Sequence, residues 1–286
     1  FYSSALIERL DHLVIAVNDL DSAIDSYTKL FGYGPSWRGV HEQLGTANAL
    51  FPVENTYLEL LASNGEEGAG AAMIKATLEL NGEGLAGLVL GTSNINDLKE
   101  SLLASGVELQ DLSLGEGVDS DQGLKRTWKN LFLPFSLTRG MFAFIIQHET
   151  GELPVVHGCS SSTINKLDHV VVNTNDPEGF KSLYGDTFGI RLALDQTVEK
   201  WGGRMLFFRL NHTTIEVIGK PNEDDPADKL WGLAWSVEDL KATHQRLVKE
   251  GIEISEVKAG RKENTLVCTV KSDTCNVPTL LIEHLS

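Results

Sequence analysis

The chain has 286 residues, with 24 basic and 40 acidic side chains and a formal net charge of −16. At roughly 100–200 residues per domain this length predicts two domains or one elaborate one, and 42% apolar with 22% charged residues excludes a mainly disordered chain. The acidic balance and scattered Lys and Arg exclude a nucleic-acid footprint and disfavour an anionic membrane surface, and no apolar run approaches the roughly 18–20 residues of a spanning helix.

The N-terminal FYSSALIERLDHLVIAV has neither the basic start nor the small-residue cleavage site of a signal peptide. Cys159, Cys268 and Cys275 form no CxxC pattern, and so sparse a set fits a reducing compartment. Together these predict a cytoplasmic protein. DHLVIAV, from Asp11, is a β-branched apolar run and predicts a strand. Asp19 is the expected N-cap of a helix with Ala23, Ile24, Tyr27, Leu30 and Phe31 at helical spacing, stopped by Gly32. Strands are predicted around Ser36–Val40, Thr46–Val53 and Thr56–Leu61. A looser unit starts at Gly84 with GLAGLVLGTSNINDLKESLLASGV and ends in the strand MFAFIIQHE from Met141.

LDHVVVNTNDPEGFKSLYGDTFG, from Leu167, then repeats LDHLVIAVNDLDSAIDSYTKLFG, from Leu10, at an ungapped offset of 157. His12 maps to His169, Asp19 to Asp176, Tyr27 to Tyr184 and Glu59 to Glu216, so His and Glu stand 47 residues apart in both copies. Phe180, Leu183, Tyr184 and Phe188 form the second helix stripe. Strands follow at Arg191–Val198, Arg204–Leu210 and Thr213–Ile218, then a looser unit from Leu230 that ends in PTLLIEHL. The prediction is an α+β chain of four βαβββ modules. Residues 1–150 form the first domain (modules about 8–63 and 83–150), 151–166 a linker, and 167–286 the second (modules about 167–220 and 229–286). GEGVDSDQG, from Gly115, and PNEDDPADK, from Pro221, are expected as solvated connections, because the terminal Glu of a calcium loop is absent.

Strand alternation assigns faces. Leu13 and Ile15, and Leu58 and Leu60, pack under the helix. That leaves His12 and Glu59 to project together from the inner face, and His169 and Glu216 in the second copy. A carboxylate in an apolar strand is costly unless it is paired, protonated or metal-bound, and imidazole with carboxylate is a standard divalent-metal set.

The LDH strand start, the helix ending in FG, the late TxxE strand and the four modules resemble the vicinal-oxygen-chelate superfamily, the glyoxalase, bleomycin-resistance and extradiol-dioxygenase group. GTANALFPVENTYLELLA, from Gly45, resembles its glyoxalase-like branch. The resemblance spans nearly the whole chain, most strongly 10–62 and 167–219. It implies modules paired into two half-open β-barrels, each cleft holding a divalent metal (Zn, Ni, Mn or Fe). Carried over, the metal ligands are His12, Glu59 and Gln147 in the first cleft and His169, Glu216 and Glu283 in the second. Gly87 and Gly232 stand at the remaining positions. Glu216 or Glu283 would be the catalytic base, His41, Asn48 and Tyr57 would bind substrate in the first cleft, and Arg204 would hold an anionic group in the second. The implied function is metal-dependent lyase or isomerase chemistry on a small oxygenated carbonyl compound, by a monomer or homodimer. An iron-dependent extradiol dioxygenase and a metal-free small-molecule binding or resistance protein stand as alternatives.

Overall fold

The first strand, β1 (Arg9–Ala16), sends Leu13 and Ile15 into the main core and Val14 to the opposite face. The computed structural model describes residues 7–286, so the opening FYSSAL of the first predicted domain lies outside the described residues. Helix α1 (Leu20–Phe31) follows, capped by Asp19, whose carboxylate accepts from the amides of Asp21 and Ser22 at 3.1 and 3.4 Å. Gly32, at φ 87°, ends it in the left-handed region, and a Cβ there would stand 2.7 Å from Thr163. Strands β2 (Trp37–His41), β3 (Thr46–Pro52) and β4 (Tyr57–Ser63) complete the first module. A helix the sequence patterning missed, α2 (Ala69–Asn81), precedes the second module. That module comprises β5 (Gly84–Gly91), α3 (Ile95–Ala104), β6 (Ser113–Asp119), β7 (Lys125–Phe132), the short α4 (Phe135–Thr138) and β8 (Ala143–Thr150).

These eight strands close into a barrel in the order β1-β4-β3-β2-β6-β7-β8-β5. The seam is β2 against β6, where Gly39 faces Asp119 and Val40 faces Val118. Much of GEGVDSDQG is therefore strand rather than solvated loop. Its glycines explain why: a Cβ at Gly115 would stand 1.9 Å from the Trp128 indole nitrogen, so only glycine admits that ring against β6.

The second half repeats the plan: β9 (Lys166–Thr174), α5 (Pro177–Phe180), β10 (Arg191–Val198), β11 (Gly203–Leu210), β12 (Thr213–Gly219), β13 (Asp228–Ser236), α6 (Leu240–Lys249), β14 (Lys258–Ala259), β15 (Thr265–Val270) and β16 (Thr279–His284). Asp176 caps α5, which continues as a π-helical stretch over Lys181–Thr187 instead of the regular helix expected. Strand order β10-β11-β12-β9-β13-β16-β15-β14 matches the barrel's cyclic order, yet the sheet stays open. Its β14, counterpart of β6, has 2 residues where β6 has 7, and no ladder reaches β10.

One core runs through both halves. Phe31, at the end of α1, meets the Trp235 ring of β13 edge-on at 4.8 Å, and the Tyr27 hydroxyl donates to the Thr274 carbonyl at 2.8 Å. Trp235 is fully buried. Trp235→Ala is expected to cost about 3–5 kcal/mol, read as a lower urea midpoint; a loss under about 1 kcal/mol would show that this contact does not join the halves. No helix among the described residues is long and apolar enough to cross a membrane.

Candidate active site in the first barrel

Strands β1 and β4 lie side by side in parallel, with His12 level with Tyr57 and Val14 level with Glu59. The two functional side chains are one step apart on one face, which brings His12 Nε2 to 3.3 Å from Glu59 Oε1. From β3, Asn48 donates through Nδ2 to Glu59 Oε2 at 2.8 Å. Tyr57 stacks on the His12 imidazole with ring centres 4.4 Å apart. Behind His12 lies Asp11, at a bulge where β1 slips its register against β5. Its buried carboxylate accepts from His12 Nδ1 at 2.7 Å, His148 Nε2 at 2.9 Å and Arg9 Nε at 3.1 Å.

These contacts set the charge state. Burial works to raise the Asp11 pKa, but hydrogen bonds and charge from His12 and His148 outweigh it and hold the carboxyl well below the usual range. Burial likewise opposes a charged His12, yet Asp11 and Glu59 outweigh it and push the imidazole up to about 8. Partial burial also opposes ionisation of Glu59, but His12, His41 and Asn48 outweigh it and hold its pKa below the ordinary value. Near neutral pH the centre is a carboxylate–imidazolium–carboxylate relay. His41, depressed chiefly by burial, shares a 2.9 Å hydrogen bond with Thr46.

The relay forms one wall of a cavity of about 1190 Å³ inside the barrel. His12, His41, Asn48, Tyr57 and Glu59, all singled out in the sequence, line it together. Phe144 of β8 meets the His12 ring edge-on at 6.1 Å, and Trp128 of β7 and Met73 and Ile74 of α2 are further parts of the lining. Two groups of the site escaped the sequence reading, Asp11 behind the cavity wall and Arg126 on it. Asp11 carried a signal, since LDH recurs with Asp168 in the second copy. Arg126 of β7 carried none in the repeat, although its alternation with Trp128, Asn130 and Phe132 marks one strand face.

Strand register tests whether these residues fit the implied metal. In β1 and β5, Val14 faces Gly87 while His12 faces Val89, so Gly87 holds the place in β5 that His12 holds in β1. Val89 lies level with Phe144 as Val14 lies level with Glu59, so Phe144 holds the place of Glu59. Neither offers a donor, and a Cβ at Gly87 would already stand 3.1 Å from Val14 and Phe142. The assignment of Gln147 is corrected: it lies three residues beyond Phe144 and points away from the cavity, its Oε1 accepting from the Ile95 amide at the start of α3 at 2.7 Å. Glu283 is corrected likewise, because its Oε1 accepts from the Leu240 amide of α6 at 2.7 Å. Gly232 and Leu280 take the two positions there, and a Cβ at Gly232 would meet the Pro278 carbonyl at 2.7 Å. Among the described residues no group of three or more His, Cys, Asp or Glu is placed to hold a metal. One His and one Glu per half fall short of the three or four protein ligands of a resident divalent ion, and the residues do not fit it.

The second half keeps the relay. His169 Nδ1 lies 2.7 Å from Asp168, His284 Nε2 lies 2.5 Å from Asp168, and His169 Nε2 lies 3.2 Å from Glu216. Burial opposes ionisation of Asp168, but its two histidines outweigh it and hold the carboxyl at about 2. Its surroundings are barer. Met205, Thr214 and Val198 replace Asn48, Tyr57 and His41 at the repeat offset, and Thr265 faces His284 where Trp128 faces His148. The expected ligand-binding role of Arg204 is corrected: its guanidinium pairs with Asp195 at 2.6 Å and with Glu178 of α5, on the helix side of the sheet.

Residues 10–166 match the family model described as a glyoxalase-like domain, and residues 168–269 match that of the glyoxalase/bleomycin resistance protein/dioxygenase superfamily. The chain belongs to the glyoxalase-like family. One relative of this glyoxalase-like protein is the ethylmalonyl-CoA/methylmalonyl-CoA epimerase of Cereibacter sphaeroides, 28% identical over 100 residues that make up 32% of this chain and 75% of the epimerase. Among solved structures, a mutant of 4-hydroxymandelate synthase from Streptomyces coelicolor superposes with a TM-score of 0.68 at 14% identity, covering 97% of this chain and 92% of that one. A hypothetical protein from Staphylococcus aureus gives 0.66 at 14% identity, covering 97% and 100%. At such identities these two show the shared fold.

Proposed function

We propose that the first barrel acts on a small molecule by proton transfer, in the class of isomerisation or epimerisation beside a carbonyl group. The observation that carries this reading is the His12–Glu59 contact on the cavity wall. At 3.3 Å it is looser than the 2.7 Å bond from His12 to Asp11, which leaves Glu59 Oε1 open to a reacting proton. Glu59, kept ionised, takes the proton from carbon. His12, kept protonated, donates Nε2–H to the oxygen on which charge collects; return of the proton to the adjacent position completes an isomerisation, and its return to the opposite face of the same carbon an epimerisation. The metal-dependent form of this chemistry lacks donors at Gly87 and Phe144, and an iron ring-cleaving site would need its second histidine at Gly87. The epimerase among the relatives lends support for the reaction class.

The test is solvent exchange. In D₂O with EDTA, the protein is expected to exchange the proton beside the carbonyl of a substrate found in a panel of small 2-oxo and 2-substituted carboxylic acids. Glu59→Gln slows that exchange by about 10²–10⁴-fold. Exchange that requires an added divalent ion, or that survives Glu59→Gln, overturns the proposal. The apolar wall of Phe132, Phe142 and Phe144 favours a second reading, a binding protein without turnover. It predicts ligand-dependent thermal stabilisation indifferent to chelators, with no exchange at all.

A further inference from the structure

Arg126 is 5% exposed, yet its side chain borders the cavity and, among the described residues, no carboxylate comes within ion-pair distance of its guanidinium. Its buried Nε–H has no hydrogen-bond partner. Three aromatic rings hold it instead: the guanidinium carbon lies 4.5 Å from the Trp37 ring centre, 5.6 Å from Trp128 and 6.0 Å from Tyr57. The two carboxylates of the relay are already committed, Asp11 to Arg9, His12 and His148, and Glu59 to His12 and Asn48. Neither carboxylate of the relay is therefore free to pair with Arg126. A buried cation without a carboxylate beside it is costly, and its rigid planar fork is shaped for two parallel hydrogen bonds to one.

We propose that Arg126 is the anion-anchoring residue of this pocket and that the ligand is an apolar or aromatic monocarboxylate. Its carboxylate docks on the guanidinium and its apolar body lies against Phe132, Phe142 and Phe144. The proposal rests on the reading of the first barrel as a small-molecule site, and it adds the substrate class. One guanidinium fork takes one carboxylate, and Glu42, Glu116 and Glu149, which also border the cavity, disfavour a second negative charge on the ligand.

The probes are 3-phenylpropanoate and its neutral isostere 3-phenylpropanamide, titrated against the full chain and followed by tryptophan fluorescence, since Trp37 and Trp128 flank the site. The acid is expected to bind at least about tenfold more tightly than the amide, and Arg126→Met to bring the acid down to the amide's affinity while leaving the amide unchanged. Arg126→Lys recovers part of the loss. Without ligand, Arg126→Met is expected to melt no lower than the parent, a readout that a purely structural arginine would move. Equal binding of acid and amide to the parent chain, which needs no variant, overturns the anion site and leaves the pocket standing, as does an equal loss for both in Arg126→Met. Binding of neither probe overturns this proposal alone, because proton exchange tests the first reading separately.

Discussion

Arg139→Met is expected to destabilise the protein by about 3–5 kcal/mol, read as a lower urea midpoint with an unchanged slope. Arg139 sits just after α4 in the first half and reaches into the second. It grips Asp228 at the start of β13 through Nη2 at 2.7 Å and Nε at 3.0 Å, and Asp176, the cap of α5, through Nη1 at 2.7 Å. The Asp228 side chain is fully buried although its sequence neighbourhood, PNEDDPADK, reads as a solvated acidic connection. Burial dominates and holds the Asp228 pKa above its usual value even with Arg139 in place. Removing the guanidinium strands that charge. Because the pKa is raised in the folded state, the deficit shrinks as pH falls and Asp228 takes up a proton. Asp228→Asn in the Arg139→Met background recovers most of the loss, and a double-mutant cycle reads the coupling. A single-variant loss below about 1 kcal/mol would mean that the network does not join the halves.

Asp11→Asn is expected to bring the His12 pKa down from about 8, since burial, which lowers it, stays while the largest opposing contact goes and only Glu59 is left to raise it. Proton transfer falls by about 10²–10⁴-fold with it. The linkage signs are definite. The raised His12 pKa contributes about 2 kcal/mol, fully present below its unfolded pKa near 6.5 and lost as pH rises through about 8. The depressed Asp11 pKa contributes stability present above its unfolded value and lost as pH falls through the folded one. The variant is therefore expected to lag the parent most between about pH 4 and 6.5 and least above pH 8. Imidazole NMR titration reads the pKa directly, and a His12 still titrating near 8 in Asp11→Asn would refute the relay.

Much of the architecture was legible because a duplicated chain prints its period twice. The ungapped offset that matches His12 with His169 and Glu59 with Glu216 places strands, helices and the inner face in one step. Three kinds of feature stayed hidden. Register across the looser modules depends on how β5 and β8 pair, and a shift of three residues separates the polar Gln147 from Phe144, which actually holds the position. Closure depends on glycines in β6 that resemble a loop when read singly, and whose purpose is visible only once Trp128 lies across them. Charge satisfaction depends on tertiary neighbours. Nothing in the sequence separates Arg204 from Arg126, yet one has two carboxylates beside it and the other, among the described residues, has none.

The contrast between the closed barrel and the open sheet has a consequence for stoichiometry. The His–Glu pair is built twice, once in each half, so counting pairs alone predicts two equivalent sites and a hyperbolic isotherm that saturates at two ligands per chain. The first relay borders a half-open cavity beside Asn48, Tyr57, His41 and Arg126, whereas the second lies on a sheet whose two edge strands do not pair among the described residues. A titration to saturation is therefore expected to count one ligand per chain, and the second His–Glu pair serves as an internal control: matching contacts, in one molecule, on an open sheet.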